Sequence, residues 1–244
     1  MHFFAYKFEI CTKLHKQKSG LLVFRRFAMT GLMKRASSMK WPLSGVNWRE
    51  VGLAYGTFLG DAGVGIRHIL RAERHSVWQK MVMRRLSRQA AHLAGRRITI
   101  DLPTLVQLPP ETLGGAYARH MISLGLDPAA FLTPEDDWLE QRVAIGHDIF
   151  HVIAGYDASP VGEFGVAAFT LVQYWDLLNV FVLSFVPLSL TNPLWTVKLG
   201  LALVRGFRMG WMSRPVVAYA VEDNWDKPLV QVRRELGIGR FFGD

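Results

Sequence analysis

The stretch from Gln141 to Glu163 constrains the fold of this chain more than any other. His147 and His151 are four residues apart, so on an α-helix their imidazoles stand one above the other on a single face. Asp148 shares that turn but points about a hundred degrees away from His147. Gly155 is a helix stop, Tyr156 to Ser159 read as a turn with Ser159 as a cap, and Pro160 suits the first position of a second helix. Glu163 then lies in the first turn of that helix, and an αα-hairpin returns it toward the imidazoles. A lone His–Asp pair would be no more than a buried hydrogen bond. Two His at helical spacing, an adjacent Asp and a returning Glu favour a metal. Two imidazoles with two carboxylates suit zinc or another divalent transition metal, whereas the oxygens are too few for a calcium cage. The carboxylates would lower the charge of the site and orient or deprotonate a bound water. On geometry alone Asp148 fits a ligand, a general base or a hydrogen-bonding neighbour of the ligands.

Composition narrows the choice further. The single cysteine, Cys11, rules out an internal disulfide framework and any cysteine-built zinc site, so a transition metal must use His and carboxylates. With 244 residues, half of them hydrophobic and a fifth charged, the chain can bury a real core and is neither disordered nor polytopic. Residues 1–40 hold nine Lys/Arg against one acid, Glu9, and so carry eight of the nine net positive charges. This N-terminal extension reads as a targeting segment, a membrane-surface arm, or sequence upstream of a start at Met29, Met33 or Met39. No run within it is long enough to span a bilayer. Residues 41–244 read as one nearly neutral helical domain.

Within that domain, Gly60-Asp61-Ala62-Gly63-Val64-Gly65 fits neither a dinucleotide fingerprint nor a Walker loop, and close helix packing or a loop is the favoured reading. Ile66 to Leu93 is periodic and helical, with Arg67, Arg71, Arg74, Lys80, Arg84, Arg85 and Arg88 offset only by Glu73. That basic face is solvated or docks on anionic lipid; no nucleic-acid motif accompanies it. Ile98 to Pro110 alternates and stops at Pro109-Pro110. A helix follows through Ala116–Met121 and closes near Gly125. Thr133, before Pro134-Glu135-Asp136-Asp137, is the expected N-cap of the helix that carries His147. Leu177 to Leu190 is almost wholly apolar, yet at fourteen residues with Pro187 inside it is too short to span, and it reads as a core helix or an apolar groove. Trp195 to Trp211 mixes apolar residues with Lys198, Arg205 and Arg208.

The block His147-Asp148-x-x-His151, Gly155 and Gly162-Glu163 resembles the signature of the coenzyme Q biosynthesis protein 4 family. Leu108-Pro109-Pro110-Glu111-Thr112-Leu113-Gly114 with Tyr117-Ala118-Arg119 resembles that family's LPxxTLGxxYAxF region, and Gln141-Arg142 its Gln-Arg pair. Phe169, Val172 and Gln173, and at the end Glu222, Trp225, Asp226, Leu229, Arg234 and Glu235-Leu236-Gly237-Ile238, extend the likeness over roughly residues 100–240. The chain departs from it at Val143-Ala144-Ile145, where the family usually has Tyr-Arg-Glu. It departs again at Ala167-Ala168 in place of Lys-Trp, and at Thr170 in place of Glu.

The resemblance implies an all-α fold: a compact helical domain with the metal site on an αα-hairpin and a hydrophobic groove between helices. It implies a divalent metal, usually zinc, on His147, Asp148, His151 and Glu163. Asp148 and Glu163 would act in catalysis, and Arg142 and Gln173 are candidates for substrate contact. The implied activity is that of a carbon–carbon lyase of ubiquinone biosynthesis, removing the ring carboxylate of a polyprenylated hydroxybenzoate with hydroxylation at the same carbon. The implied partners are a prenylated quinone precursor, a membrane surface, other quinone-biosynthesis proteins and a second copy of the chain, with no nucleic acid. The setting is peripheral: the matrix side of the mitochondrial inner membrane in a eukaryote, the cytoplasmic face in a bacterium. Two other readings stay open, a non-catalytic lipid-binding organiser and a His–Asp metal phosphohydrolase. The second needs another His and a distant Asp, for which only His120 and Asp176 offer themselves.

Overall fold

The structure, a computed structural model, describes residues 43–133 and 136–243. The expectations for residues 1–40, and those on Trp41, Pro134 and Glu135, lie outside the described residues. Among the described residues there are ten α-helices and no strand, so the chain is all-α as expected: α1 (Trp48–Thr57), α2 (Ala62–Glu73), α3 (Val77–Gln89), α4 (Leu102–Leu105), α5 (Leu113–Leu124), α6 (Trp138–Ala154), α7 (Pro160–Tyr174), α8 (Leu177–Leu183), α9 (Pro193–Met212) and α10 (Leu229–Glu235). They form two compact units, residues 43–82 with 176–181, and residues 83–175 with 182–243.

In the first unit, the glycine-rich stretch is a helix start. Asp61 caps α2 by accepting from the Val64 N–H at 3.0 Å, which takes a helix N-terminus that a phosphate loop would need. Gly65 lies where a Cβ would come within 2.7 Å of Phe58, so the close packing expected there holds between α1 and α2. His68 and Glu50 join the same helices at 2.6 Å, and Phe181 meets the rings of Tyr55 and Phe58 edge-on. The helical pattern from Ile66 breaks at Arg74–Ser76, because the Ser76 hydroxyl accepts from the Gln79 N–H at 3.0 Å and starts α3.

Glu73, the one acid of that basic stretch, is buried at the C-terminal end of α2, where the helix dipole disfavours a negative charge. Its carboxylate accepts from the Leu177 N–H at 3.2 Å, and Asp176 beside it caps α8 through Asn179. Burial, then the Asp176 charge, push the Glu73 carboxyl up to about 8 against the opposing Leu177 bond. Because the folded state binds this proton more tightly than the unfolded chain, its contribution is complete below the ordinary Glu value of 4.5 and is lost as pH rises through about 8. Glu73→Gln is therefore expected to flatten the fall in unfolding free energy between about pH 4.5 and about pH 8, a difference on the order of a few kcal/mol. Parallel pH profiles for the two proteins would contradict this.

The second unit holds the hairpin. Its fully buried side chains include Tyr117, Met121, Ile149, Ile153, Phe169, Leu199 and Met209. Asp101 caps the single turn of α4 inside the alternating stretch. Helix α5 runs from its Thr112 cap to Gly125, whose φ of 62° ends it where expected. The cap of α6 is Asp137 and not Thr133: Asp137 accepts from Leu139 and Glu140, and Glu140 returns a bond to the Asp137 N–H. Thr133 instead bonds the Asp136 carboxylate through both its N–H and its hydroxyl, closing a turn before the helix. The apolar run from Leu177 is two pieces, α8 and a 3₁₀ segment Val186–Thr191 that contains Pro187.

Helix α9 lies against α7 along a seam of small residues. A Cβ on Gly206 would come within 2.3 Å of the Gly165 carbonyl oxygen, and one on Gly210 within 2.6 Å of that of Phe169. Such a close approach needs glycine. Arg233 of α10 donates to the Val152 and Ile153 carbonyls at 3.0 Å each, satisfying orphan acceptors at the C-terminus of α6.

Candidate metal centre

Helix α6 places His147 and His151 on one face, Gly155 ends it at φ 63°, and Ser159 with Pro160 starts α7 so that Glu163 falls in its first turn. The turn is tight: a Cβ on Gly162 would come within 1.9 Å of the Asp157 carbonyl oxygen. Three donor atoms then form a small triangle. His151 Nε2 is 3.3 Å from His147 Nε2 and 3.2 Å from Glu163 Oε2, and His147 Nε2 is 3.5 Å from the same oxygen. Ligand atoms around a tetrahedral ion at ~2.0–2.1 Å stand ~3.3–3.4 Å apart, so these edges fit one. Among the described residues His147, His151 and Glu163 are the group that could hold a metal ion.

The surroundings support that use. His151 is buried, and its Nδ1 faces the Tyr156 carbonyl oxygen at 3.3 Å. A carbonyl only accepts, so with a metal bound Nδ1 would keep its hydrogen for that oxygen and Nε2 would turn its lone pair to the ion. Burial opposes the ionised form of Glu163, but the His151 charge and hydrogen bonds with both imidazoles outweigh it. Its carboxyl is held well below the usual carboxylate range. An acid that stays ionised beside two imidazole donors suits a cation.

Asp148 is not one of the three converging residues. One residue on from His147, it lies within electrostatic reach of the cluster and of Tyr117 on α5. Burial pushes its carboxyl up, the His147 and His151 charges pull it down, and Glu163 adds to the rise.

Arg142 and Gln173, expected near a substrate, are both bound within the fold. Arg142 is buried, with NH2 donating to Glu222 at 2.5 Å and NH1 to the Tyr219 carbonyl at 3.2 Å. Gln173 donates to the Gly210 carbonyl at 2.5 Å and accepts from the Val216 N–H at 3.1 Å. Asp176, required by the phosphohydrolase reading, caps α8 by accepting from the Asn179 N–H and side-chain amide. His120 does stand by the site: its ring stacks on that of His151 at 5.5 Å and 24°. Tyr117, one turn earlier, carries a buried hydroxyl with no hydrogen-bond partner among the described residues. The sequence marked Tyr117 only through the resemblance, and the Tyr156 carbonyl not at all. Of the departures, Ala167, Ala168 and Thr170 are buried on α7, and Ala168 lies against Gly206. A concavity of about 500 Å³ elsewhere is lined by Met83, Arg84, Arg88, Trp138 and Glu140 among others, without a residue of the cluster.

An all-α chain with two imidazoles and a carboxylate converging on a helical hairpin defines a class of helical protein with a candidate metal centre. The family model for coenzyme Q (ubiquinone) biosynthesis protein Coq4 matches residues 68–241, and the chain belongs to that family. It is 30% identical over 149 residues to the mitochondrial ubiquinone biosynthesis protein COQ4 homolog of Xenopus tropicalis, covering 59% of this chain and 53% of that one. To the mitochondrial COQ4 of Scheffersomyces stipitis it is 23% identical over 186 residues, covering 74% and 57%. A crystal structure from Nostoc punctiforme, of a protein provisionally named for ubiquinone biosynthesis, is similar with a TM-score of 0.66 at 27% identity. That likeness covers 79% of this chain and 99% of the Nostoc chain. The chain spans about half the length of the curated relatives it matches.

Proposed function

We propose that this chain acts in ubiquinone biosynthesis, removing the ring carboxylate of a polyprenylated hydroxybenzoate and hydroxylating the same carbon with the help of a divalent metal, zinc for preference. The observation that carries the reading is the triangle of His147, His151 and Glu163 in a member of this family. In the reaction the ring carbon–carboxylate bond breaks and CO₂ leaves, a hydroxyl whose oxygen comes from water takes its place, and the two electrons released pass to an oxidant from outside the chain. A metal held by the three residues would supply Lewis acidity, drawing electron density from a ring oxygen. Glu163 contributes fixed negative charge, and the Tyr156 carbonyl fixes the ring of His151. Asp148, made more basic by burial and drawn toward its ionised form by the His147 and His151 charges, would receive the phenolic proton at its carboxylate. The substrate's tail belongs in lipid, so the work is done at a membrane surface, with other quinone-biosynthesis proteins at hand. No described helix is long and apolar enough to cross a membrane.

The test is release of labelled CO₂ from a carboxyl-labelled polyprenyl-hydroxybenzoate by the purified, metal-loaded protein with an oxidant present. Release that a chelator stops is expected; its absence from fully loaded protein contradicts the lyase activity. Asp148→Asn separates proton transfer from ligation. It should keep the metal content of the unaltered protein while turnover falls about 100-fold or more. Loss of metal in that variant would make Asp148 a ligand.

A further inference from the structure

Helix α9 has two unlike faces. One is the glycine seam on α7. The other carries Leu194, Val197, Leu201, Val204 and Trp211, which are between 57 and 79% exposed. Their spacing of three, four, three and seven residues draws one stripe along the helix. Exposed Leu188 and Leu190 of the preceding 3₁₀ segment add to the apolar surface. Scattered exposed leucines need no explanation, but a stripe along a 20-residue helix does. Its exposed charged residues are of one sign, Lys198 and Arg208, with no Asp or Glu between Pro193 and Met212; Arg205 lies over the Tyr156 and Phe242 rings instead.

We infer that the outer face of α9 docks on an anionic lipid surface, its apolar side chains entering the acyl boundary and its cations meeting phosphate. The charges choose the occupant. Pairing with the same face of a second copy would bring Lys198 and Arg208 against the same two cations with no acid of α9 to meet them, whereas anionic headgroups neutralise them. Lys and Arg also reach outward from an apolar stripe on long stems, as docking at this depth requires. The seam gives the surface a purpose, since Gly206 presses on Gly165, two residues from Glu163. A prenyl tail leaving the lipid beside α9 is then one helix away from the candidate metal centre. That purpose rests on the proposed function; the docking itself does not.

The experiment is co-sedimentation of the full chain with phosphatidylcholine vesicles, with and without an anionic phospholipid. Leu201→Glu with Trp211→Glu should lower the partition constant at least tenfold, with helicity and metal content unchanged. Lys198→Glu with Arg208→Glu, which leaves the apolar stripe intact, should remove the preference for anionic vesicles. Unchanged binding in both double variants overturns the inference, as does an equal loss from Lys80→Glu with Arg84→Glu on α3. A dimer that Leu201→Glu splits without changing vesicle binding would assign the face to a second copy. Turnover in detergent keeps the two claims apart: turnover without docking sinks only the docking face, and docking without turnover sinks only the enzyme.

Discussion

His151→Ala should purify without its divalent metal and should restore no ubiquinone to cells that lack this chain. The residue is the hub of the cluster: its Nε2 makes the 3.3 Å approach to His147 and the 3.2 Å approach to Glu163, and it is the buried imidazole of the pair. Loss of a residue that merely orients a metal ligand costs 10–100-fold in affinity, so loss of the ligand is expected to exceed about 100-fold. The variant also leaves the Glu163 carboxylate beside a single imidazole, and circular dichroism and elemental analysis together separate a folded, metal-free protein from an unfolded one. Folded protein that lacks metal yet restores ubiquinone would make the chain a non-catalytic lipid-binding organiser. Metal bound as tightly as before would remove His151 from the ligands.

Gly206→Ala and Gly200→Ala should have opposite effects although they lie on one helix. At Gly206 the new methyl carbon would come within 2.3 Å of backbone at Gly165, which no rotamer change relieves, so α9 must lift from α7. The expected loss is about 3 kcal/mol or more, or roughly 6–12 °C in melting temperature for a chain of this size. Because α7 carries Glu163, metal affinity should fall with it. A Cβ on Gly200 meets nothing within 4 Å, so alanine there should stabilise by up to about 1 kcal/mol through helix propensity. Equal melting temperatures for the two variants would show that the seam is looser than described.

The hairpin was legible because its punctuation is local. Gly155 sits at positive φ, Ser159 caps, Pro160 begins α7, and the four-residue spacing of the histidines fixes their shared face. Glu163 followed from those three. The start of α6 misled because two cap patterns overlap, Thr133-x-x-Asp136 and Asp137-x-x-Glu140. Only the second closes the reciprocal pair of bonds. The break before α3 was hidden by a periodicity that continues across it, with Ser76 as its one local sign. Arg142 and Gln173 could not be sorted from sequence, since their partners Glu222, Tyr219, Gly210 and Val216 lie 37 to 80 residues away. Nor does anything in the sequence announce that Trp175 takes φ 60° at the end of α7, or that a backbone carbonyl at Tyr156 sets the ring of His151.

The most direct measurement of the central claim is mass-spectrometric profiling of quinone precursors in cells from which this chain alone has been removed. The proposed lyase activity predicts that ubiquinone falls and that a prenylated hydroxybenzoate still bearing its ring carboxylate accumulates, both reversed by the unaltered chain and not by His151→Ala. An unchanged ubiquinone pool with no carboxylated precursor would contradict it.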